Sequence, residues 1–281
     1  MSSGVAHKKI SSALQISSDT LHTTLERICA ILYDGCVQEF RLNPPKPKIS
    51  PTYGRNVGIL VDTTYVPFPR VLDDYAVGRK LWDEHHKVYA LKKQVCVQAG
   101  PPYLAIFSAP CAIGSTPDID ILRGTAEFIA QQTTVGTETC AVMGDKGYIT
   151  SEPLPFTLIT PKKVNMAGFS LEENFRIATA RVHVERFFGR MKSSWKILST
   201  KYRRAYGHFD RDFDILVALT NRLIMIRPVP TVEEDERYGS VYKFLKAFYR
   251  AEYIRKKDRK SRASLILGAD ETEEESAPND G

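Results

Sequence analysis

VGILVDTTYVP, residues 57–67, opens as an unbroken apolar run rich in β-branched side chains and then sets one carboxylate, Asp62, between valine and threonine. The run predicts a buried strand. Aspartate is a poor strand former, and a buried carboxylate is costly unless it is paired or bound to a metal. Asp62 therefore needs a partner from elsewhere in the chain. Working outward, KVYALKKQVCVQA (87–99) and YLAIFSAP (103–110) are further β-type runs, separated by the AGPPY break, and they predict two or three adjacent antiparallel strands. Next come the turn-rich IGSTPDID (113–120), a helix around DILRGTAEFIAQQ (120–132), a short strand in TCAVMGDKGY (139–148) and another apolar stretch, PFTLITP (155–161). Strands that give way to helices predict a mixed α/β order.

The longest predicted helix is LEENFRIATARVHVERFFGRMKSSWKIL (171–198), where Ile177, Val184, Phe188, Met191, Trp195 and Leu198 recur at threes and fours and define a core-facing stripe. DFDILVALTNRLIMI (212–226) reads as a second apolar helix, and SVYKFLKAFYRAEYIRKKDRKSR (240–262) as a third with a basic end. Upstream, Leu21, Leu25, Ile28, Ile31 and Leu32 share helical spacing behind a Ser/Asp start. Four prolines in LNPPKPKISPTYG (42–54) then mark a linker, with a boundary near residue 50. The expected organisation is an N-terminal helical segment and linker over 1–50, a central α/β domain over 55–228, and a C-terminal helix with a basic cluster and a disordered acidic tail over 229–281.

With 281 residues of which 43% are apolar, the chain can bury a full core. MSSGVAHKKI has no apolar signal region, and Asn221 and Arg222 interrupt the most apolar late stretch, so a soluble intracellular protein with no membrane partner is expected. Cys29, Cys36, Cys96, Cys111 and Cys140 have no C-x-x-C spacing and read as reduced core thiols. The net charge is +6, and without the six acids of ADETEEESAPNDG (269–281) the remainder stands at +12. Such an excess suits a polyanionic partner, whose condensed counterions are released as Lys and Arg approach its phosphates.

Two more acids stand out. Asp145 follows the apolar strand of AVMGDKGY (141–148) at a Gly-flanked turn, the strand-end position where α/β proteins commonly place functional groups. Glu185, in RVHVERFFGRMK (181–192), shares a helical stripe with Arg181, Gly189 and Lys192, so it lies at the margin of the core with a guanidinium one turn away. Gly189 costs the helix roughly 1 kcal/mol against alanine, which points to a close approach there. Carboxylates on two strand ends and a helix flank are hard oxygen ligands of the kind Mg²⁺ takes. Two such ions, about 3.5–4 Å apart, clamp the attacking and leaving oxygens of a phosphodiester.

The ordered set VDTTYV, GSTPDID, MGDKGY and RVHVERFFGRMK resembles the DDE endonuclease domain of Harbinger-type transposases, itself similar to that of bacterial insertion-sequence transposases. The resemblance covers roughly residues 55–228. It implies a ribonuclease H-like mixed β-sheet flanked by α-helices and cleavage and joining of DNA strands with Mg²⁺ or Mn²⁺, two ions in all. Carried over, the triad is Asp62, Asp145 and Glu185. The family also carries an aspartate in its G-S-x-H-D-S segment, here GSTPDID with Pro117 and Ile119 in place of histidine and serine, so Asp118 stands as the alternative second ligand. Lys87, Lys146, Arg181, Arg190 and Lys192 are the candidate phosphate contacts. His85 and His86 point in different directions and read as a loop or strand start. LQISSDTLHTTLERI resembles only the last helix of the family's longer helix-turn-helix region. A domesticated relative that binds DNA or protein without cutting is therefore the second reading. A Myb-like DNA-binding partner and self-association are further implied partners. The nucleus is the expected location, with the cytoplasm as the alternative, and IRKKDRKSR (254–262) reads as a localisation or phosphate-binding patch.

Overall fold

Ser17 accepts the Thr20 N–H on its hydroxyl at 3.0 Å and so starts α1 (Ser18–Leu32), the helix expected from the Ser/Asp opening. A π-helical stretch (Tyr33–Val37) and α2 (Gln38–Leu42) extend it. After the proline-rich segment come β1 (Val57–Pro67), α3 (Tyr75–Leu81), β2 (Trp82–Asp83), β3 (Val88–Gln98), β4 (Ala105–Ser108) and β5 (Ala112–Ile113). They are followed by α4 (Asp118–Gly124), α5 (Ala126–Gln132), β6 (Thr134–Val135), β7 (Glu138–Thr139), β8 (Ala141–Met143), β9 (Leu158–Ile159), α6 (Leu171–Ser194) and α7 (Phe209–Ile226). This computed structural model describes residues 9–49, 56–71, 74–135, 138–163 and 166–228, together with 247, 254 and 255. The expected third helix and acidic tail lie almost wholly outside the described residues.

Met1–Thr160 with Ala180–Val229 forms one compact unit, and Pro161–Thr179 with Pro230–Gly281 another. In the second, the Asn174 amide clamps the Lys162 backbone from both sides at 2.8 Å. The first unit holds the seven-stranded sheet, in the order β2-β3-β1-β8-β9 with β4 and β5 also on β3. β1 runs antiparallel to β3, and β3 antiparallel to β4, as the adjacent β-type runs predict. β1, β8 and β9 are parallel. The result is a mixed α/β fold, a mixed sheet flanked by helices, consistent with the ribonuclease H-like expectation.

The strand period divides β1 between two faces. Ile59 and Val61 pack with Leu122 of α4 and Ile129 of α5 in the main apolar cluster. Asp62 and Thr64 turn to the other face, where α6 and α7 lie. The α6 stripe is as expected: Ile177, Val184, Phe188 and Met191 are buried, as is Leu198 just beyond the helix. Trp195 is only partly so, with its indole N–H donating to Thr220 at 3.0 Å.

Three local expectations change. The helix over 120–132 is two helices, because the Thr125 hydroxyl donates to the Ile121 and Leu122 carbonyls at 3.2 Å and the chain bends there. On α1 only Leu21 is buried, and Leu25, Ile28 and Ile31 are exposed. All five thiols are free, but only Cys96 and Cys140 are buried. Among the described residues no helix is long and apolar enough to cross a membrane.

Candidate active site

The parallel register sets Leu60 of β1 beside Met143 of β8. Two residues further along each strand direction stand Asp62 and Asp145, level with each other although 83 positions apart in the chain. β8 ends before Asp145, and the turn that follows is held by that residue itself: its Oδ1 accepts the Gly147 N–H at 2.7 Å and starts the 3₁₀ turn Lys146–Tyr148. Both glycines of this turn have steric reasons. A Cβ at Gly144 would stand 2.8 Å from the Tyr148 ring, and one at Gly147 would stand 3.0 Å from Asp145 Oδ1 and 3.3 Å from Asp118 Oδ2. Tyr148 is fully buried and its hydroxyl pairs with Thr63 Oγ1 at 2.8 Å, which ties the GDKGY turn to the strand carrying Asp62.

Arg181 of α6 joins the acids. Its Nη2 lies 3.2 Å from Asp62 Oδ2, 3.5 Å from Glu185 Oε1 and 4.0 Å from Asp145 Oδ2. Three carboxylates, from a strand, the turn after another strand and a helix, thus converge on one guanidinium nitrogen. Burial opposes the charge of Arg181, but the three acids outweigh it and raise its pKa. Asp62 goes the other way from an ordinary carboxylate: burial, helped by the neighbouring Asp145 charge and opposed by Arg181, raises its pKa from 3.8 to about 6. Its Oδ1 accepts the Thr63 N–H at 2.9 Å. Glu185 is the open end of the site, its side chain 57% exposed against 15% for Asp62.

Asp118 lies at the same turn, beside Gly147, but it answers to a different cation. Lys92 Nζ is 3.4 Å from Asp118 Oδ1 and 3.9 Å from Asp83 Oδ2, and it donates to the Thr116 carbonyl at 3.1 Å. Burial raises the Asp118 pKa against the pull of Lys92.

The candidate phosphate contacts are spread more widely. Arg181 is in the centre, and Lys146 is exposed beside Asp145. Lys192 lies over the Tyr65 ring at 4.6 Å, with its pKa lowered by burial. Arg190 donates to the Arg227 carbonyl at 2.6 Å. Lys87 sits in the exposed turn before β3 and pairs with Glu84. His86 Nδ1 is 2.9 Å from Asp83 Oδ2, and the His85 and His86 N–H groups donate to Asp83 Oδ1, so Asp83 caps the turn before β3 that holds both histidines. A Cβ at Gly189 would meet nothing within 4 Å, so no neighbour among the described residues accounts for that glycine.

The sequence offers Lys93 only as a basic group that could hold phosphate, and the structure gives it acidic partners instead. It is 1% exposed and bonded to Asp210 at 2.7 Å and Asp214 at 3.1 Å, with Arg41 closing on Asp214 at 2.6 Å. Alternation is the available signal: Lys92 and Lys93 must point to opposite faces of a buried strand. Also unforeseen is His183, buried and stacked on Tyr103 at 3.7 Å, with burial and the Arg186 charge lowering its pKa to about 4.

Residues 61–221, more than half of the chain, match the model of the family described as DDE superfamily endonuclease. No curated protein and no solved structure matches the chain.

Proposed function

The chain belongs to the DDE superfamily endonuclease family, and we propose that it cuts and joins DNA strands in the manner of a transposase, with Asp62, Asp145 and Glu185 as the triad. The finer likeness to Harbinger-type elements rests on the four sequence motifs. The observation that carries the proposal is the convergence of three acids, remote in sequence, within 4.0 Å of the single nitrogen Arg181 Nη2.

The donor set fits Mg²⁺ or Mn²⁺: carboxylate oxygens alone, on a strand, a strand end and a helix, with room left by the exposed Glu185. Among the described residues no three His, Cys, Asp or Glu side chains are already drawn together as a metal cage; the acids surround Arg181 instead. Burial holds the Asp62 pKa up against this cation, and one guanidinium faces three carboxylates, so a formal negative charge remains. Bound there, divalent ions would supply Lewis-acid activation of the phosphodiester and of the attacking hydroxyl. The chain's own residues do the rest. Asp62 and Asp145 orient one side of the site because β1 and the Asp145 turn are locked by the Thr63–Tyr148 bond. Glu185 closes the other side from α6. Arg181 keeps the acids converged, and Lys146 and Lys192 hold phosphates on either side. Lys87, Arg190 and nuclear residence belong to this reading as weaker members, as do a Myb-like partner and self-association.

A second reading, DNA binding without cutting, is favoured by one observation: each acid near the centre already has a protein cation, Arg181 or Lys92. Incubating the protein with supercoiled plasmid and Mn²⁺ separates the two. The triad reading expects nicking that disappears in Asp62→Asn and with EDTA. Salt-sensitive, EDTA-resistant DNA retention without nicking selects the second.

A further inference from the structure

Directly after Glu185 the chain runs for 24 residues, Arg186 to Phe209, without an aspartate or glutamate and with seven cations: Arg186, Arg190, Lys192, Lys196, Lys201, Arg203 and Arg204. Two contacts fix where this stretch goes. Beyond the end of α6 at Ser194, the Ser199 hydroxyl donates to the Lys192 carbonyl at 2.7 Å and folds the chain back onto the helix terminus. The Tyr202 N–H then donates to the Pro67 carbonyl at 2.8 Å, and its buried phenol donates to Asp212 at 2.8 Å, so the segment is pinned to the far end of β1. Burial across Lys201, Tyr202 and Arg203 alternates exposed, buried, exposed, the period of an extended segment. With Tyr202 turned inward, Lys201 and Arg203 project to the same solvent side. Arg204 is used internally by Glu26 and Asp212. Lys196, Lys201 and Arg203 are exposed and have no partner among the described residues.

From these placements we propose that the surface made by Lys192, Lys196, Lys201 and Arg203 is a track for the flank of a DNA duplex, leading away from the carboxylates past the end of β1. The inference rests on the DNA reading of the site and deepens it. β1 itself gives the scale. Asp62 and Pro67 are five residues apart, about 17 Å along a strand, which spans about five phosphates of one DNA strand at about 3.4 Å each. Lys201 and Arg203 therefore meet the backbone about five base pairs from the bond held at the carboxylates. Gly189 lies on α6 between Glu185 and Lys192 with open space where its Cβ would be, so the polymer can pass close to the helix there. The cations are spaced along the stretch rather than gathered at one point, which fits a rod of evenly spaced charges better than a compact acidic peptide.

The test is fluorescence anisotropy of the full chain with a 30-base-pair duplex, in EDTA, across a salt series. Replacing both track residues (Lys201→Gln with Arg203→Gln) is expected to weaken binding roughly tenfold and to lower the slope of log K against log salt by about 1.8, or about 0.9 for each phosphate no longer neutralised. The same change of charge at Arg79 and Lys80 of α3, also exposed, is expected to leave the slope alone. An unchanged slope in the track variant, or an equal fall in the α3 variant, overturns the proposal. So does an acidic polypeptide that displaces the duplex from wild type but not from the track variant. A wild-type protein with no salt-dependent DNA binding defeats the broader reading instead. Both side chains are exposed, and far-UV circular dichroism confirms that the variants fold.

Discussion

Replacing Asp62 by asparagine should make the protein more stable at neutral pH while removing its chemistry. In the fold the Asp62 carboxyl has a pKa of about 6, against 3.8 for an ordinary aspartate. Because the folded state binds this proton more tightly than the unfolded chain, the protonated form's advantage is complete below pH 3.8 and is lost as pH rises through about 6. Above that, keeping Asp62 ionised costs the fold about 3 kcal/mol, at about 1.4 kcal/mol per pH unit. Asparagine has the same shape and carries no charge, and Arg181 keeps Glu185 at 3.5 Å and Asp145 at 4.0 Å. Urea unfolding in EDTA should therefore give Asp62→Asn an advantage of about 3 kcal/mol at pH 7.5 that shrinks as pH falls below about 6 and is mostly gone by pH 4. Mn²⁺ should then raise the stability of wild type by RT ln(1 + [L]/Kd) and leave the variant nearly unmoved. A variant that is less stable than wild type at pH 7.5, with the deficit shrinking as pH falls, would show that Arg181 more than compensates burial, and the reasoning would be wrong.

The remaining expectations concern neighbours of that carboxylate. Glu185→Gln, at a half-exposed position, should move stability by less than about 0.5 kcal/mol yet reduce Mn²⁺-dependent nicking by about 100-fold or more, as expected when a ligand rather than its outer support is removed. Asp145→Asn should abolish nicking while Asp118→Asn retains most of it, because Asp145 is level with Asp62 and Asp118 is held by Lys92; the opposite pattern would exchange the second ligand. Lys93→Met should destabilise the fold by about 3 kcal/mol in urea unfolding, since it strands the buried Asp214 with Arg41 alone, and DNA affinity at matched folded fraction should not change.

The strands and long helices were legible because local chemistry and tertiary demand agree in them. β-Branched residues fill β1 and recur as Val88, Val95 and Val97 in β3, and apolar residues recur on α6 at the spacing that its burial requires. The break at Thr125 was not legible, because a threonine hydroxyl reaching back to the Ile121 carbonyl competes with helix propagation only when the surrounding core holds the bend. Lys93 escaped for a different reason. Its acids, Asp210 and Asp214, lie 117 and 121 positions downstream, and nothing local announces that a lysine in a strand will be neutralised from so far away. The Arg181–Glu185 pair was readable as a one-turn spacing. That Asp62 would join it, 119 positions away, required knowing which face of β1 meets α6.

What converts these acids into one site is the combination of a parallel register and a shared cation. The register brings Asp62 and Asp145 level whether or not they have any function, and two adjacent carboxylates in a partly buried place would repel. Arg181 relieves that repulsion with one positive charge against three negative ones, so the centre keeps a formal deficit of two charges when all three acids are ionised. Burial holds the Asp62 pKa above its ordinary value, and Arg181, which outweighs the neighbouring Asp145 charge there, offsets only part of it. A purely structural ion pair needs no such imbalance, and a second arginine or lysine in place of Gly189 would remove part of it. The sequence instead leaves a glycine with empty space beside it one turn past Glu185. The unmet charge and the open approach fall on the same stretch of α6, which is where a divalent cation and a phosphodiester would both have to enter.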